Sequence, residues 1–435
     1  MGPKSWSWRR GLTAGALVLV GCGGPAAEPA PEEALDAAAP TEEVIVALAQ
    51  GIHQRVIALD THVDIPFDFA SDSVDPGLRG TFQVDLPKMR EGGLDAAFFV
   101  VYHAQEARTP AGYAAAYARV MQKFAGIRRM AEELYPDEIE LALTATDVER
   151  ISAAGKLVAL IGVENLYPIG TDLSTLEEWH ALGARYASLT HNGHSQFGDA
   201  AVELPALGDD GPEWGGLSPL GEAAVDELNR LGIVVDVSHA HKQTMLDIAA
   251  RSRAPIIASH SSIRAVADDP RNLDDEQLLA IRDNGGVVQT TALDAFVKIQ
   301  PPAKAAAYDS LYARFEIPPD ADMDNLNLSS SYQDQFNEGI AAIELQYPAA
   351  TVRDYVDHID YAVRLIGVDH VGISSDFDGG GGVEGWQDAS ETFNVTLELV
   401  RRGYTEEEVQ KLWGGNLLRV MQEVEEVARG MRMAP

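Results

Sequence analysis

From about residue 42 onward, short runs of β-branched and other apolar residues alternate with longer stretches whose apolar positions recur at helical spacing. This alternation predicts βα units and a parallel sheet, since a strand buried on both faces reads as a continuous apolar run and a covering helix reads as an amphipathic one. Eight strands are predicted: Val56 to Thr61, Leu94 to Tyr102, Leu157 to Val163, Arg185 to Thr190, Ile233 to Ser238, Pro255 to Ser259, Gly286 to Thr291 and His370 to Ser375. Start and stop signals bound the helices between them. Ser218 stands as N-cap before Pro219, with Gly232 just past the end, and another helix runs from Asp274 to Asn284 before Gly285-Gly286. Eight such units predict an α/β (β/α)8 TIM barrel, with a doubly wound open sheet as the alternative. Two stretches exceed simple connections. One, Ser195 to Leu217, follows the fourth strand; the other, Ala295 to about Ala350, follows the seventh and has a helical pattern around Gln333 to Leu345.

Composition narrows the function. The 435 residues include 33 Lys+Arg against 67 Asp+Glu, a formal charge of -34 that repels phosphate backbones and excludes nucleic acid as an expected partner. The single cysteine, Cys22, allows neither an intramolecular disulfide nor a thiolate metal cage. Any metal site must therefore use histidines and carboxylates. The first residues differ from the rest: Lys4, Arg9 and Arg10 precede an apolar run from Leu12 to Val20, the layout of a signal peptide. That run is about half of the ~20 residues a spanning helix needs. Leu19-Val20-Gly21-Cys22 resembles the lipobox of bacterial lipoproteins, which implies lipidation at Cys22; an ordinary signal peptide with Cys22 incidental is the alternative. Residues 23–41, rich in Ala, Pro and Glu, cannot bury a core and read as a tether. The expected organisation is thus a leader over 1–22, the tether over 23–41 and one catalytic domain over 42–435, lipid-anchored in a bacterial cell envelope.

The candidate chemistry lies at the strand ends. His62 and Asp64 follow the first predicted strand, Tyr102 and His103 the second and Glu164 the third, while His191, His239, His260 and Asp376 close the fourth, fifth, sixth and eighth. In a barrel these ends share one face, where such folds carry their active sites. Residues two apart in an extended chain point the same way, so His62 and Asp64 can grip one ion together. Imidazole with carboxylate is a ligand set that suits zinc. Arg271 is a guanidinium suited to a substrate carboxylate, with an ion pair to Asp268 or Asp269 as the plain alternative. His53, His180, His241, His358 and His370 read as structural or solvated, and His103 and His194 as borderline pocket residues.

Ordered segments extend the pattern: Asp60-Thr61-His62-Val63-Asp64, Val84-Asp85-Leu86-Pro87, Gly162-Val163-Glu164-Asn165, Leu189-Thr190-His191, Asp236-Val237-Ser238-His239, Ser259-His260-Ser261-Ser262, Pro270-Arg271-Asn272 and Ser375-Asp376-Phe377-Asp378-Gly379. With them the chain resembles the renal (membrane) dipeptidase family of the amidohydrolase superfamily, from about Val44 to Val427. The resemblance implies two Zn2+ per subunit: His62 and Asp64 on one, His239 and His260 on the other, and Glu164 bridging. It also implies hydrolysis of dipeptides by a metal-bridging hydroxide, including those with a C-terminal D-residue. His191 then contacts substrate and the developing oxyanion, Arg271 binds the substrate carboxylate, and Asp376 is the acid/base residue; Tyr102 is a candidate for orienting substrate. Small peptides are the expected partners, and a homodimer is compatible with the reading. Two other readings stand beside it: a binuclear amidohydrolase acting on N-acyl amino acids or lactams, and a non-enzymatic, metal-dependent solute-binding lipoprotein. Asn192-Gly193-His194 and Gln289-Thr290-Thr291 depart from the family pattern.

Overall fold

In a computed structural model, which describes residues 40–315, 317 and 330–433, nine strands form: β1 (Leu59–Asp64), β2 (Ala96–Tyr102), β3 (Ile139–Leu141), β4 (Leu157–Glu164), β5 (Ala184–Ser188), β6 (Val234–Asp236), β7 (Ile257–Ala258), β8 (Val287–Thr291) and β9 (Val371–Ser374). The leader with Cys22 and nearly all of the tether lie outside the described residues, so the lipidation and leader expectations fall there too. Eight strands pair in parallel in the order β1-β2-β4-β5-β6-β7-β8-β9. The ends of this ribbon meet where Val63 bridges Phe377 in parallel and the Asp64 amide donates to the Phe377 carbonyl at 2.9 Å. The sheet is therefore a nearly closed parallel (β/α)8 barrel, as the alternation predicts, and not an open sheet.

All eight predicted strands are present, with one shift that bears on the site. The first begins at Leu59, not Val56, so His62 and Asp64 are inside β1 and not beyond it. The ninth strand, β3, is one the sequence reading missed. It pairs with Leu157 to Ala159 of β4, below the point where β5 takes over at Ile161. Three residues are too few to show a period.

Two buried aspartates pin the strand ends. The Asp60 carboxylate accepts from the amides of His62 (3.2 Å) and Ser375 (3.0 Å), tying β1 to the chain beyond β9. Asp236 accepts from the amides of Ser238 (3.0 Å) and Ser259 (2.8 Å), tying β6 to β7. Burial pushes the Asp60 carboxyl up to about 6 even against these bonds. Each aspartate fixes the backbone beside a predicted ligand.

The helices follow their sequence signals. Ser218 accepts from the Gly221 amide and Gly232 closes the helix Pro219–Leu231 at φ 86°; Asp274 and Gln277 form a capping box on Asp275–Asn284. Among the described residues the excursion after β8 opens on a single helical turn, Asp294–Val297, and contains two longer helices, Pro302–Arg314 and Ser330–Gln346, where the apolar pattern indicated only the second. Leu311, Phe315, Ile317, Phe336 and Ile343 give it a small core separate from the barrel's own. Pro318 and Pro319 lie outside the described residues. Ser195 to Leu217 is an ordered loop, pinned by the Asp199 carboxylate, which accepts from the amides of Glu213, Trp214, Gly215 and Gly216. Among the described residues no helix is long and apolar enough to cross a membrane.

Candidate metal centre

Every predicted ligand reaches one face of the barrel. His62 and Asp64 come from β1 and Glu164 from the last position of β4, while His239, His260 and Asp376 follow β6, β7 and β9. All but the fully buried His62 line a cavity of about 800 Å3 whose wall also includes Tyr102, His103, His191, Asn192, Arg271 and Lys123. Backbone strain concentrates here. Asn165, His239, Asp376 and Asp378 hold left-handed conformations, with φ between 61° and 71°, which side chains other than glycine adopt reluctantly.

The hydrogen bonds of the three central histidines set which nitrogen is free. Tyr186 gives its hydroxyl proton to the Thr61 carbonyl (3.1 Å), so it accepts from His62 Nδ1–H at 3.0 Å. Ser259 gives its proton to Asp236 (2.6 Å) and accepts from His260 Nδ1–H at 2.8 Å. His239 Nδ1–H donates to the Asn192 side-chain carbonyl at 3.2 Å. In all three rings the outer nitrogen is anchored and Nε2 turns inward, the arrangement by which outer partners orient metal-ligating imidazoles.

What the inward nitrogens meet is electron-rich. Glu164 Oε1 lies 2.9 Å from His239 Nε2 and 3.3 Å from His260 Nε2, while Oε2 lies 3.5 Å from His62 Nε2. The two Nε2 atoms of His239 and His260 are 2.9 Å apart. Burial opposes charge on Glu164, yet the surrounding histidines outweigh it and hold the carboxyl well below its ordinary range. Burial keeps His239 and His260 neutral, so lone pairs face an ionised carboxylate at contact distance. At His62 burial also disfavours charge, but Glu164 and Asp64 overcome it and draw positive charge to the ring. Its Nε2 is buried without a hydrogen-bond partner. The neutral His239 and His260 rings and the Glu164 carboxylate aim acceptors at one another, which is repulsive unless cations lie among them, and His62 gathers positive charge beside them; the residues present fit metal ions on both grounds.

Three groups of ligand atoms come within 4.8 Å of one another: His62, Glu164 and His260; Glu164, His191 and His239; and His62, Asp64 and Asp376. Glu164 thus turns one oxygen to each half of the cluster. Asp376 sits beside the His62–Asp64 half, with Oδ1 at 3.9 Å from His62 Nε2. Burial pushes its carboxyl up to about 8, with Asp64 and Glu164 adding to the shift and His62 opposing it.

Arg271 is buried beside the cluster. It forms no ion pair with Asp268 or Asp269; Asp268 pairs with Arg264, and the Asp269 carboxylate accepts from the Arg271 backbone amide. Its guanidinium makes two long bonds, to Ser261 Oγ (3.4 Å) and the His260 carbonyl (3.3 Å), and leaves Nε unpartnered. His191 touches Tyr102, whose hydroxyl is 3.4 Å from its Nδ1, and burial keeps the ring neutral.

Of the histidines read as structural, His53 bonds Thr396 and Gly92, His358 bonds the Ile263 amide and the Val297 carbonyl, His370 bonds the Gly286 carbonyl, and His241 caps a helix by accepting from the Gln243 amide. His103 lines the cavity. His194 does not; it braces the loop through the Ala200 amide and the Gly211 carbonyl. The sequence reading missed Tyr186, Ser259, Asp236 and Asn192 as supports, and Lys123 altogether. Lys123 had one signal: it falls on the apolar face of the helix Pro110–Arg129, among Ala116, Val120, Phe124 and Ile127.

Known proteins resemble this chain over most of its length. Residues 46–435 match the profile of the membrane dipeptidase family, peptidase family M19. Dipeptidase aclJ of Aspergillus oryzae is 35% identical over 355 residues, covering 80% of this chain and 72% of that protein. Dipeptidase tcpJ of Claviceps purpurea is 31% identical over 372 residues, covering 84% of this chain and 75% of that one. Among solved structures, the probable dipeptidase PvdM from Pseudomonas aeruginosa superposes with a TM-score of 0.77 at 35% identity, covering 88% of this chain and 99% of that one.

Proposed function

We propose that this chain, which belongs to the membrane dipeptidase family, peptidase family M19, and is a metallo-dipeptidase, works with two zinc ions held by the cluster around Glu164. The observation that carries this reading is the convergence of three anchored imidazoles on an ionised, buried carboxylate beneath an unpaired arginine. His62 and Asp64 would hold one ion, His239 and His260 the other, and Glu164 both. Bound there, zinc would supply Lewis acidity and an acidified water.

The protein's own groups do the rest. Arg271 takes the C-terminal carboxylate of the dipeptide, because a buried guanidinium without an anion gains most from one that arrives with the substrate. The family resemblance supports tolerance of a D-residue at the second position as well. His191, neutral and steadied by Tyr102, hydrogen-bonds the carbonyl oxygen as negative charge develops on it. Asp376 accepts the proton of the attacking water and passes it to the peptide nitrogen, which leaves as an amine. Its place on the cavity wall, with Oδ1 3.9 Å from His62 Nε2, supports that role.

For the segment outside the described residues, Lys4, Arg9, Arg10, the Leu12 to Val20 run and Cys22 support export and anchoring through a lipidated Cys22. The test of the catalytic reading is metal analysis of the purified protein together with a dipeptide library covering both positions and both chiralities. About two zinc ions per chain and chelator-sensitive hydrolysis of free dipeptides are expected. One tightly held metal with full activity overturns the two-zinc assignment.

A further inference from the structure

Lys123 is a charged side chain inside the cavity that the reaction above leaves without a task. It is 3% exposed, and burying an ammonium without a partner is costly. Among the described residues it makes no hydrogen bond or ion pair. Its ammonium instead lies 5.0 Å from the centre of the Phe67 ring and 5.3 Å from that of Tyr102. Burial lowers its pKa, and the anions that oppose this, Asp64 and Glu164, are beyond ion-pair contact and are the residues assigned to metal. Arg119, exposed on the same helix, sets its guanidinium over Phe67 at 5.2 Å, so two cations share one aromatic ring on the cavity wall.

The position of this pair around the barrel decides what it can meet. Phe67 follows β1 and Tyr102 ends β2, whereas Arg271 touches Ser261 and the His260 carbonyl just beyond β7 and lies over Phe296 beyond β8. In the strand order β1-β2-β4-β5-β6-β7-β8-β9, β2 and β7 are diametrically opposed. Lys123 and Arg271 therefore face each other across the metal-ligand cluster. A dipeptide whose C-terminal carboxylate rests on Arg271 and whose scissile carbonyl lies over Glu164 extends its first residue toward Lys123.

We propose that Lys123, with Arg119 at the rim, is a second carboxylate-recognition point that makes the enzyme prefer dipeptides whose first residue carries an acidic side chain. This rests on the dipeptidase reading and on Arg271 holding the C-terminus. A carboxylate entering this pocket forms an ion pair with an ammonium that has no other anion in contact, whereas the isosteric amide offers only a neutral acceptor.

The test compares Glu-Ala with Gln-Ala, and Asp-Ala with Asn-Ala, in the zinc-loaded full-length enzyme and in Lys123→Met and Lys123→Gln, with metal content measured for each. The parent enzyme is expected to favour the acidic member of each pair by about tenfold or more in kcat/KM, mainly through KM. In both variants that ratio should fall close to one, whatever change in rate the two peptides share. A lysine needed only to hold the cavity together would lower both members of a pair alike and leave the ratio standing, which overturns the proposal. So does a ratio of one or less in the parent enzyme, a result that needs no variant. Hydrolysis of Gln-Ala without any acidic preference removes the role of Lys123 alone, whereas failure of the metal-loaded enzyme to cleave any dipeptide removes the substrate reading on which it rests.

Discussion

The two ends of the barrel solve opposite electrostatic problems. At the mouth, where strands end, buried histidines and carboxylates are aimed at one another, and charge remains for metal and substrate to balance. At the floor, where helices end and strands begin, arginines are aimed at backbone carbonyls. Arg185 donates to the carbonyls of Leu143, His180 and Ala184, Arg90 to those of Gly155 and Glu138, and Arg419 to those of Gly285 and Asp369. Apart from that of Leu143, which lies between β3 and the following helix, these carbonyls lie at or just beyond helix C-termini or beside strand starts, where unpaired acceptors and the negative end of the helix dipole favour a cation. These arginines find their partners within the protein, whereas Arg271 Nε and His62 Nε2 at the mouth do not. Groups left unsatisfied by the fold mark where function lies, and groups the fold satisfies mark where stability does.

If that division holds, mouth substitutions change metal content and chemistry, and floor substitutions change stability alone. The largest effect should come from Glu164→Gln, which removes the charge facing both halves of the cluster. Zinc content should fall well below two per chain and activity by on the order of 10³-fold or more, since several kcal/mol of transition-state stabilisation depends on the ions. Retention of both metals with activity near the parent's would break the picture of a shared carboxylate.

Asp376→Asn keeps the shape but cannot carry a proton, so kcat should drop by about 10²- to 10⁴-fold with zinc still bound. Steady-state kinetics beside metal analysis checks this. If zinc is lost instead, the 3.9 Å approach of Asp376 to His62 reports a ligand and not an acid/base group.

Arg271→Met should act chiefly on KM, by about 10²-fold, because two charge-assisted bonds to the substrate carboxylate disappear. Dipeptides amidated at the C-terminus should be correspondingly poor substrates of the parent enzyme. Equal rates on free and amidated peptides would release Arg271 from that role.

At the floor, Arg185→Met should lower the unfolding free energy by roughly 2–4 kcal/mol, the cost of leaving buried carbonyls unpaired, while zinc content and kcat/KM at 25 °C stay as they were. Denaturant unfolding and a standard assay decide it; a loss of metal would show that the two ends are coupled.

The smallest effect concerns His180, half-buried beside that arginine. Burial first, then Arg185, Arg432 and Arg230, push its pKa down to about 4. With the folded value below the unfolded ~6.5, the neutral ring contributes stability above pH 6.5 that is lost as the pH falls toward 4. Half exposure limits the difference to less than about 1 kcal/mol. The gap between the parent and His180→Gln in thermal midpoint should therefore narrow between pH 7 and pH 4.5; a constant gap contradicts the shift.

Much of this was legible along the chain, because it depends on near neighbours. A run such as Ala96–Tyr102 can only be a strand buried on both faces, and the caps at Ser218 and Asp274 are read from residues three apart. Where spacing is short or composition bland, legibility failed. Ile139–Leu141 is too brief to show alternation, and Pro302–Arg314 hides its apolar face among alanines. Glu164 and the ends of its neighbouring strands could be named as candidates because parallel strands must end on one face.

What the sequence determined by itself is therefore which side chains arrive at the mouth of the barrel. Which of them meet, and in what state, was decided only by closing it. Tyr186 anchors His62 from 124 residues away, and the Thr61 hydroxyl reaches the Ser259 carbonyl from 198 away. Lys123 is an unremarkable helical lysine until Phe67 and Tyr102 cover it. Periodicity is a property of neighbours a few residues apart, whereas the free nitrogen of an imidazole, the charge of a buried carboxyl and the isolation of an ammonium are set by groups that only the packed barrel brings within a few ångströms of one another.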